Sequence, residues 1–180
     1  MTLNKRPRRK PPLLRRIRPF RSLVAALLLA TPIAFVALSN NEWQFVRRVV
    51  DGDTIVLGTG ERIRLIGVDT PETVHPKKPV ERFGKEASEF TRRMVEGKRV
   101  RLEFDPANAA QGHKDNTPER RTLAYVFLGD GTLLNAEIIK QGYGFAYTRY
   151  PFSRMEEFRR LEREAREQRR GLWANATKEK

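Results

Sequence analysis

Between residues 45 and 66 the chain alternates short apolar segments with glycine turns, a pattern that predicts strands rather than helices. Phe45-Val46 and Val49-Val50, with basic residues between them, predict a first strand. Thr54-Ile55-Val56-Leu57 reads as its continuation or partner after a turn at Asp51-Gly52, and Gly58-Thr59-Gly60 as a hairpin turn. Arg62-Ile63-Arg64-Leu65-Ile66 has the period-two pattern of a half-buried strand. Asp69-Thr70-Pro71 ends it, because proline cannot donate to a ladder. Val100 to Phe104 and Leu123 to Phe127 add two more strands, the second followed by a turn at Gly129-Asp130-Gly131.

Helical signals lie between and after these strands. Residues 73–82 form a loop carrying His75, Lys77 and Lys78. From Gly84 to Glu96, Ala87, Phe90 and Met94 recur at helical spacing, with Gly97 as the C-cap. A loop rich in Ala, Asn, Gly and Pro runs from Asp105 to about Glu119. Leu134 to Lys140 makes a short helix ending at Gly142, and Met155, Phe158, Leu161 and Ala165 stripe a charged helix ended by Gly171. No internal repeat is visible. Short strands joined by glycine turns, with helices added, predict an α+β domain with a small closed sheet, a five-stranded OB-fold β-barrel.

This body is preceded by something different. Residues 1–21 carry nine Lys/Arg and no acid, and Leu23 to Leu38 is an uncharged run broken only by Thr31 and Pro32. The run falls between a short membrane span and a signal-peptide apolar region, so residues 22–39 are expected to form a hydrophobic helix serving as transmembrane anchor or export signal. The basic flank should stay cytoplasmic, with the remainder membrane-anchored outside the cytoplasm or exported after cleavage near Ser39, in Ala37-Leu38-Ser39. An acid-free, Arg-rich start also fits an organellar transit segment. Residues 40–176 are then one domain, residues 177–180 a tail, and the protein is expected to be a monomer.

Charge and composition narrow the chemistry. The formal net charge is +14, most of it in the first 21 residues. The modest basic excess that remains fits either a solvated surface or a polyanionic partner. No cysteine is present, which excludes disulfides, thiolate metal sites and cysteine catalysis. Two histidines, His75 and His113, give poor support to a histidine-rich metal site or a Ser-His-Asp triad.

Three acids stand out: Asp53 just past the first turn, and Asp69 and Glu72 at the end of the neighbouring strand. Pairing of these strands through the Gly58–Gly60 hairpin would let Asp53 and Asp69 approach each other. Adjacent carboxylates with oxygen-only ligands favour a hard cation such as Ca²⁺ or Mg²⁺. The competing reading makes Asp51, Asp53 and Asp69 turn residues bonded to their own backbone. Arg64 and Arg121 are either surface charges or a pair of guanidinium groups clamping a phosphate.

The segments Val50-Asp51-Gly52-Asp53-Thr54, Arg62 to Glu72 and Arg121-Thr122-Leu123-Ala124-Tyr125-Val126, in that order, resemble the staphylococcal nuclease (thermonuclease) family. Pro71 to Glu81 and Gly84 to Val95 are similar as well, and the resemblance runs from about Val49 to Trp173. It implies the OB-fold barrel with three helices and a Ca²⁺-dependent nuclease of DNA and/or RNA that leaves 3′-phosphate ends. It further implies metal ligands at Asp53, Asp69 and the Thr70 carbonyl, a general base at Glu72, and phosphate contacts from Arg64 and Arg121. Tyr147 would line the nucleotide pocket, and Lys77 and Lys78 would meet the polynucleotide. Two departures stand out. The loop before Arg121 is longer than in the type member, with Pro118-Glu119 in place of a Lys-Tyr pair, and Arg149 replaces a second tyrosine. Arg149 can still stack on a base as a flat cation, so a different base preference is expected. The alternatives are a non-catalytic nucleic-acid-binding barrel tethered to a membrane, and a tethered adaptor whose acids are only turn residues.

Overall fold

The computed structural model describes residues 42–73 and 81–174. The expectations for the basic start, the hydrophobic helix, the cleavage site, the tail at 177–180, and His75, Lys77 and Lys78 lie outside these residues. Among the described residues, no helix is long and apolar enough to cross a membrane.

Strands β1 (Gln44–Asp51), β2 (Thr54–Leu57), β3 (Arg62–Leu65), β5 (Arg99–Glu103) and β6 (Thr122–Phe127) close into a barrel in the order β1-β2-β3-β6-β5. β3 and β6 run parallel, with Arg64 opposite Leu123, and the other pairs are antiparallel. This is the expected five-stranded barrel. The two halves of the predicted first strand are one strand with two register shifts against β2. The shift after Val46 leaves Arg47 and Arg48 both exposed while Val46 and Val49 point inward. Bulges of this kind bend a strand and help a small sheet close.

The barrel interior is filled by Val46, Ile55, Ile63, Leu65, Val100 and Val126, each essentially inaccessible to solvent. Three helices pack outside: α1 (Gly84–Val95), α2 (Leu134–Lys140) and α3 (Met155–Glu167). On α1 the buried face is Ala87, Ser88, Thr91 and Val95. Phe90 and Met94, which the spacing placed on that stripe, flank it half-buried against the core. On α3, Phe158, Leu161 and Ala165 are buried as the charged stripe predicts.

Two features have no counterpart in the sequence reading. A two-stranded ladder joins β4 (Val68–Asp69) to β7 (Phe145–Ala146). The long loop opens with a 3₁₀ turn at Pro106–Gln111, started by Asp105, whose carboxylate accepts from the Ala107 N–H. Asp105 is wholly buried and also accepts from the Tyr125 hydroxyl and from the Ser153 N–H and hydroxyl. Removal from water pushes its carboxyl upward, but these hydrogen bonds outweigh that and hold it below the ordinary range. One buried carboxylate thereby ties the long loop, β6 and the segment after β7 together.

Candidate active site

The β1–β2 turn is the foundation of the site. Asp51 Oδ1 accepts from the Asp53 N–H at 3.3 Å, so Asp51 does bond the backbone two residues on. Asp53 points inward instead. Its Oδ1 accepts from the Thr54 hydroxyl at 3.0 Å, and its Oδ2 accepts from the Thr70 N–H at 3.1 Å. Gly52 lets this turn close on the strand end. A Cβ there would lie 2.7 Å from the Thr70 side chain. From the other side, the Thr91 hydroxyl of α1 donates to the Gly52 carbonyl at 2.7 Å, bracing the turn against a helix.

Arg64 joins the two carboxylates. Its Nη2 lies 3.0 Å from Asp53 Oδ2 and 3.4 Å from Asp69 Oδ1. Its Nη1 donates to the Val68 carbonyl at 2.6 Å and the Leu65 carbonyl at 3.1 Å. An arginine in an alternating strand usually faces solvent, yet this side chain is only 14% exposed. The cause is the reversal after Leu65, which folds Val68 and Asp69 back over the guanidinium.

The acids outnumber this cation locally. Burial raises Asp51 to about 7, reinforced by the charge and side-chain hydrogen bonding of Asp53 and by the charge of Glu72. Burial also raises Asp69, with Asp53 adding to the effect and Arg64 opposing it.

Arg121 approaches the same turn from β6. Its Nη1 donates to the Thr54 hydroxyl at 3.3 Å, and its Nε pairs with Asp115 Oδ2 at 2.7 Å. Arg120 is exposed in a left-handed conformation, so of the two adjacent arginines it is Arg121 that turns toward the site. Asp115 was not singled out from the sequence. Its Oδ1 accepts from the Thr117 N–H and hydroxyl and from the Arg121 N–H. Burial pushes Asp115 up, but Arg121 and Thr117 together hold it below the usual carboxylate range. Asp115-Asn116-Thr117 is a recognisable turn signature inside the loop, and it is the signal that could have found this residue.

The remaining expected residues divide. Glu72 lies close enough to Asp51 and Asp69 to raise both, and its backbone pairs with Glu81 through the Glu81 N–H at 2.9 Å and the Glu81 carboxylate at 3.1 Å. Tyr147 extends the β4–β7 ladder by donating its N–H to the Gly67 carbonyl at 2.9 Å. It lines a cleft of about 450 Å³ together with Arg64, Asp69, Asp115 and Arg121. Arg149 is not part of that lining, and its guanidinium sits 5.7 Å from the Tyr150 ring.

A metal at this place is a question of donor chemistry. Among the described residues, no group of three or more His, Cys, Asp or Glu side chains is arranged to hold an ion. Two carboxylates, Asp53 and Asp69, do share one small region, with the Thr70 backbone beside them. That set is oxygen-only, and burial first, then the Asp53 charge, raises Asp69. It fits a hard cation that completes its shell with backbone oxygens and water.

Residues 62–175 match a family model described as staphylococcal nuclease homologue. A protein named thermonuclease from Staphylococcus hyicus is 40% identical over 150 residues, covering 80% of this chain and 84% of that protein. A thermonuclease from Staphylococcus intermedius is 47% identical over 106 residues, covering 57% of this chain and 58% of that one. The SPbeta prophage-derived endonuclease YokF of Bacillus subtilis is 31% identical over 132 residues, which are 71% of this chain but 42% of that protein.

Proposed function

This chain belongs to the staphylococcal nuclease family, and on that premise we propose that it is a nuclease hydrolysing phosphodiester bonds of DNA and/or RNA. The observation that carries the reading is the meeting of Arg64, through Asp53, and Arg121, through Thr54, at one turn beside one cleft. Two guanidinium groups so placed suit a phosphate whose oxygens gain negative charge as the bond breaks.

The two arginines would bind and orient the phosphate, each by forked N–H donors, and hold the charge that develops on its oxygens. Glu72, at the rim beside Asp69, would orient the attacking water and accept its proton. Tyr147 would wall the cleft on the nucleoside side. Ca²⁺ is the cofactor we propose, held by Asp53, Asp69 and the Thr70 carbonyl, where it would supply Lewis-acid stabilisation of a phosphate oxygen. We propose 3′-phosphate product ends. The contribution of Lys77, Lys78 and Arg149 to substrate binding is part of the same proposal. So is a monomer held at, or exported across, a membrane, supported by the uncharged run at 23–38 and its basic flank.

The test is digestion of single- and double-stranded DNA and RNA by the protein in Ca²⁺ and in EGTA. Cleavage restored by Ca²⁺ after chelation, with 3′-phosphate ends, is expected. Full activity in chelator removes the metal from this account, and binding without cleavage leaves only a nucleic-acid-binding barrel.

A further inference from the structure

Three large hydrophobic side chains are exposed among the described residues. Tyr150 lines the cleft. The other two, Trp43 at 44% and Phe45 at 46%, stand together where the chain enters the barrel. Single exposed apolar side chains are ordinary on a surface, whereas a pair on one face makes a patch. Residues i and i+2 of an extended segment share a face, and Val46, the next residue, points into the core. Trp43 and Phe45 therefore point outward together.

The patch is fixed to the barrel on both sides. The Gly58 N–H of the β2–β3 hairpin donates to the Phe45 carbonyl at 2.7 Å, and the Val46 N–H donates to the Lys98 carbonyl at 2.9 Å. The Phe45 ring lies against Gly58, 3.5 Å from where a Cβ would stand. The rim is basic. Arg99 is opposite Phe45 in the β1–β5 ladder, so the two side chains share a face, and its guanidinium reaches the Trp43 carbonyl at 3.4 Å. Arg47 and Arg48 follow on β1, both exposed. Among the described residues, no carboxylate pairs with Arg47, Arg48 or Arg99. Glu42 precedes Trp43, and Glu61 of the hairpin is held by Lys114 at 3.2 Å.

The sequence just before the patch indicates what covers it. The uncharged run ends at Leu38, and only Ser39, Asn40, Asn41 and Glu42 separate it from Trp43. Fully stretched, that connection reaches about 18 Å. A chain held in a bilayer by the run must keep Trp43 within this distance of the lipid. Tryptophan suits the headgroup level, where its ring meets apolar chains and its N–H stays wet. Guanidinium groups suit the phosphates of the same layer.

We propose that Trp43, Phe45 and Arg99, with Arg47 and Arg48 at the rim, form a docking surface for the phospholipid bilayer that holds the uncharged run. The inference rests on the membrane attachment proposed above and adds an orientation to it. β1 carries the patch at its first residues and Asp51 at its last, about 20 Å further along the strand. The docked barrel thus keeps the Asp51–Asp53 turn away from the lipid, with the cleft beside it open to a polynucleotide in water.

The test uses the full chain in vesicles of phosphatidylcholine and phosphatidylglycerol. The chain has no cysteine, so a nitroxide can be attached at one position at a time. Thr59→Cys places it in the exposed hairpin turn beside Phe45, and Tyr150→Cys places it at the cleft. Flotation with the vesicles reports attachment. Collision of each label with lipid-soluble oxygen, against a water-soluble nickel chelate, reports docking. The label at 59 is expected to favour oxygen and the label at 150 the chelate. Phe45→Asp and Trp43→Ser, both at exposed positions, should leave flotation unchanged and, combined, abolish the oxygen preference at 59. A floating chain whose label at 59 is as open to the chelate as the label at 150 overturns the docking surface and leaves the anchor standing. An oxygen preference that survives the combined substitutions overturns the assignment to these two rings. Dipolar broadening between labels at 59 overturns it in favour of a second copy of the chain. A chain that does not float sinks the attachment reading, and the docking surface with it.

Discussion

Arg64 makes four contacts inside the protein, two to backbone carbonyls and two to carboxylates. Lysine carries the same charge but cannot reach carbonyls and carboxylates from one planar fork. Arg64→Lys should therefore lower kcat/KM for nicking of plasmid DNA by about a hundredfold, the scale of losing one transition-state donor. Equal turnover would remove Arg64 from the phosphate clamp. The carboxylates make a separate prediction. Asp51 is raised from 3.8 to about 7 on folding, so across that interval the folded chain holds a proton that the unfolded chain has lost. Stability of the metal-free protein should then fall as pH rises through this window. Asp105 is lowered, so its contribution has the opposite sign: it is present above the ordinary aspartate range and is lost as pH falls below it. Urea unfolding from pH 4 to 7 in EGTA should show the first trend, and Asp51→Asn should flatten it. A parent and variant with parallel pH profiles would refute the assignment.

At the scale of elements, the long loop after β5 is the part of this fold that works through others. Asp115 fixes the Arg121 Nε and N–H, while Asn116 and Gln111 line the cleft. Asp115→Ala should leave Arg121 charged but unaimed. The expected result is a drop in kcat of about tenfold or more, since misplacement of one oriented group is costly even without loss of charge. The melting temperature should fall as well, by roughly a few degrees, because Asp115 is only 12% exposed and accepts from the Thr117 N–H and hydroxyl and from the Arg121 N–H and Nε. A variant with parental kcat would show that Arg121 needs no such anchor. The β4–β7 ladder is the other decisive element. It sets Phe145 opposite Asp69, and the Tyr147 N–H then meets the Gly67 carbonyl, so an aromatic ring far along the chain comes to sit beside the acids.

The molecule as a whole brings Arg64, Arg121 and two candidate metal ligands, Asp53 and Asp69, to one region of a closed barrel, beside a cleft. A cation bound only by the folded state must stabilise it, by about 2.7 kcal/mol at a hundredfold excess over Kd. Addition of Ca²⁺ should raise the melting temperature, and Asp53→Asn should abolish the rise. A melting temperature indifferent to Ca²⁺ would count against the site at Asp53 and Asp69.

The sequence alone determined the local elements, because their signals are local. Alternation marked β3, glycine turns bracketed β2, apolar spacing marked α1 and α3, and the ordered motifs from Val50 to Val126 marked the family and the candidate site residues. It could not decide what depends on segments distant in the chain. The short β4–β7 pairing, with two residues a side, carries no periodicity to read. The burial of Arg64 comes from a chain reversal after its strand, and the fixing of Arg121 comes from an aspartate in a loop without regular pattern. A side chain's neighbours across the fold are set by barrel closure and packing. For that reason only the tertiary structure could show which arginine turns inward, what holds it there, and which tyrosine lines the cleft beside it.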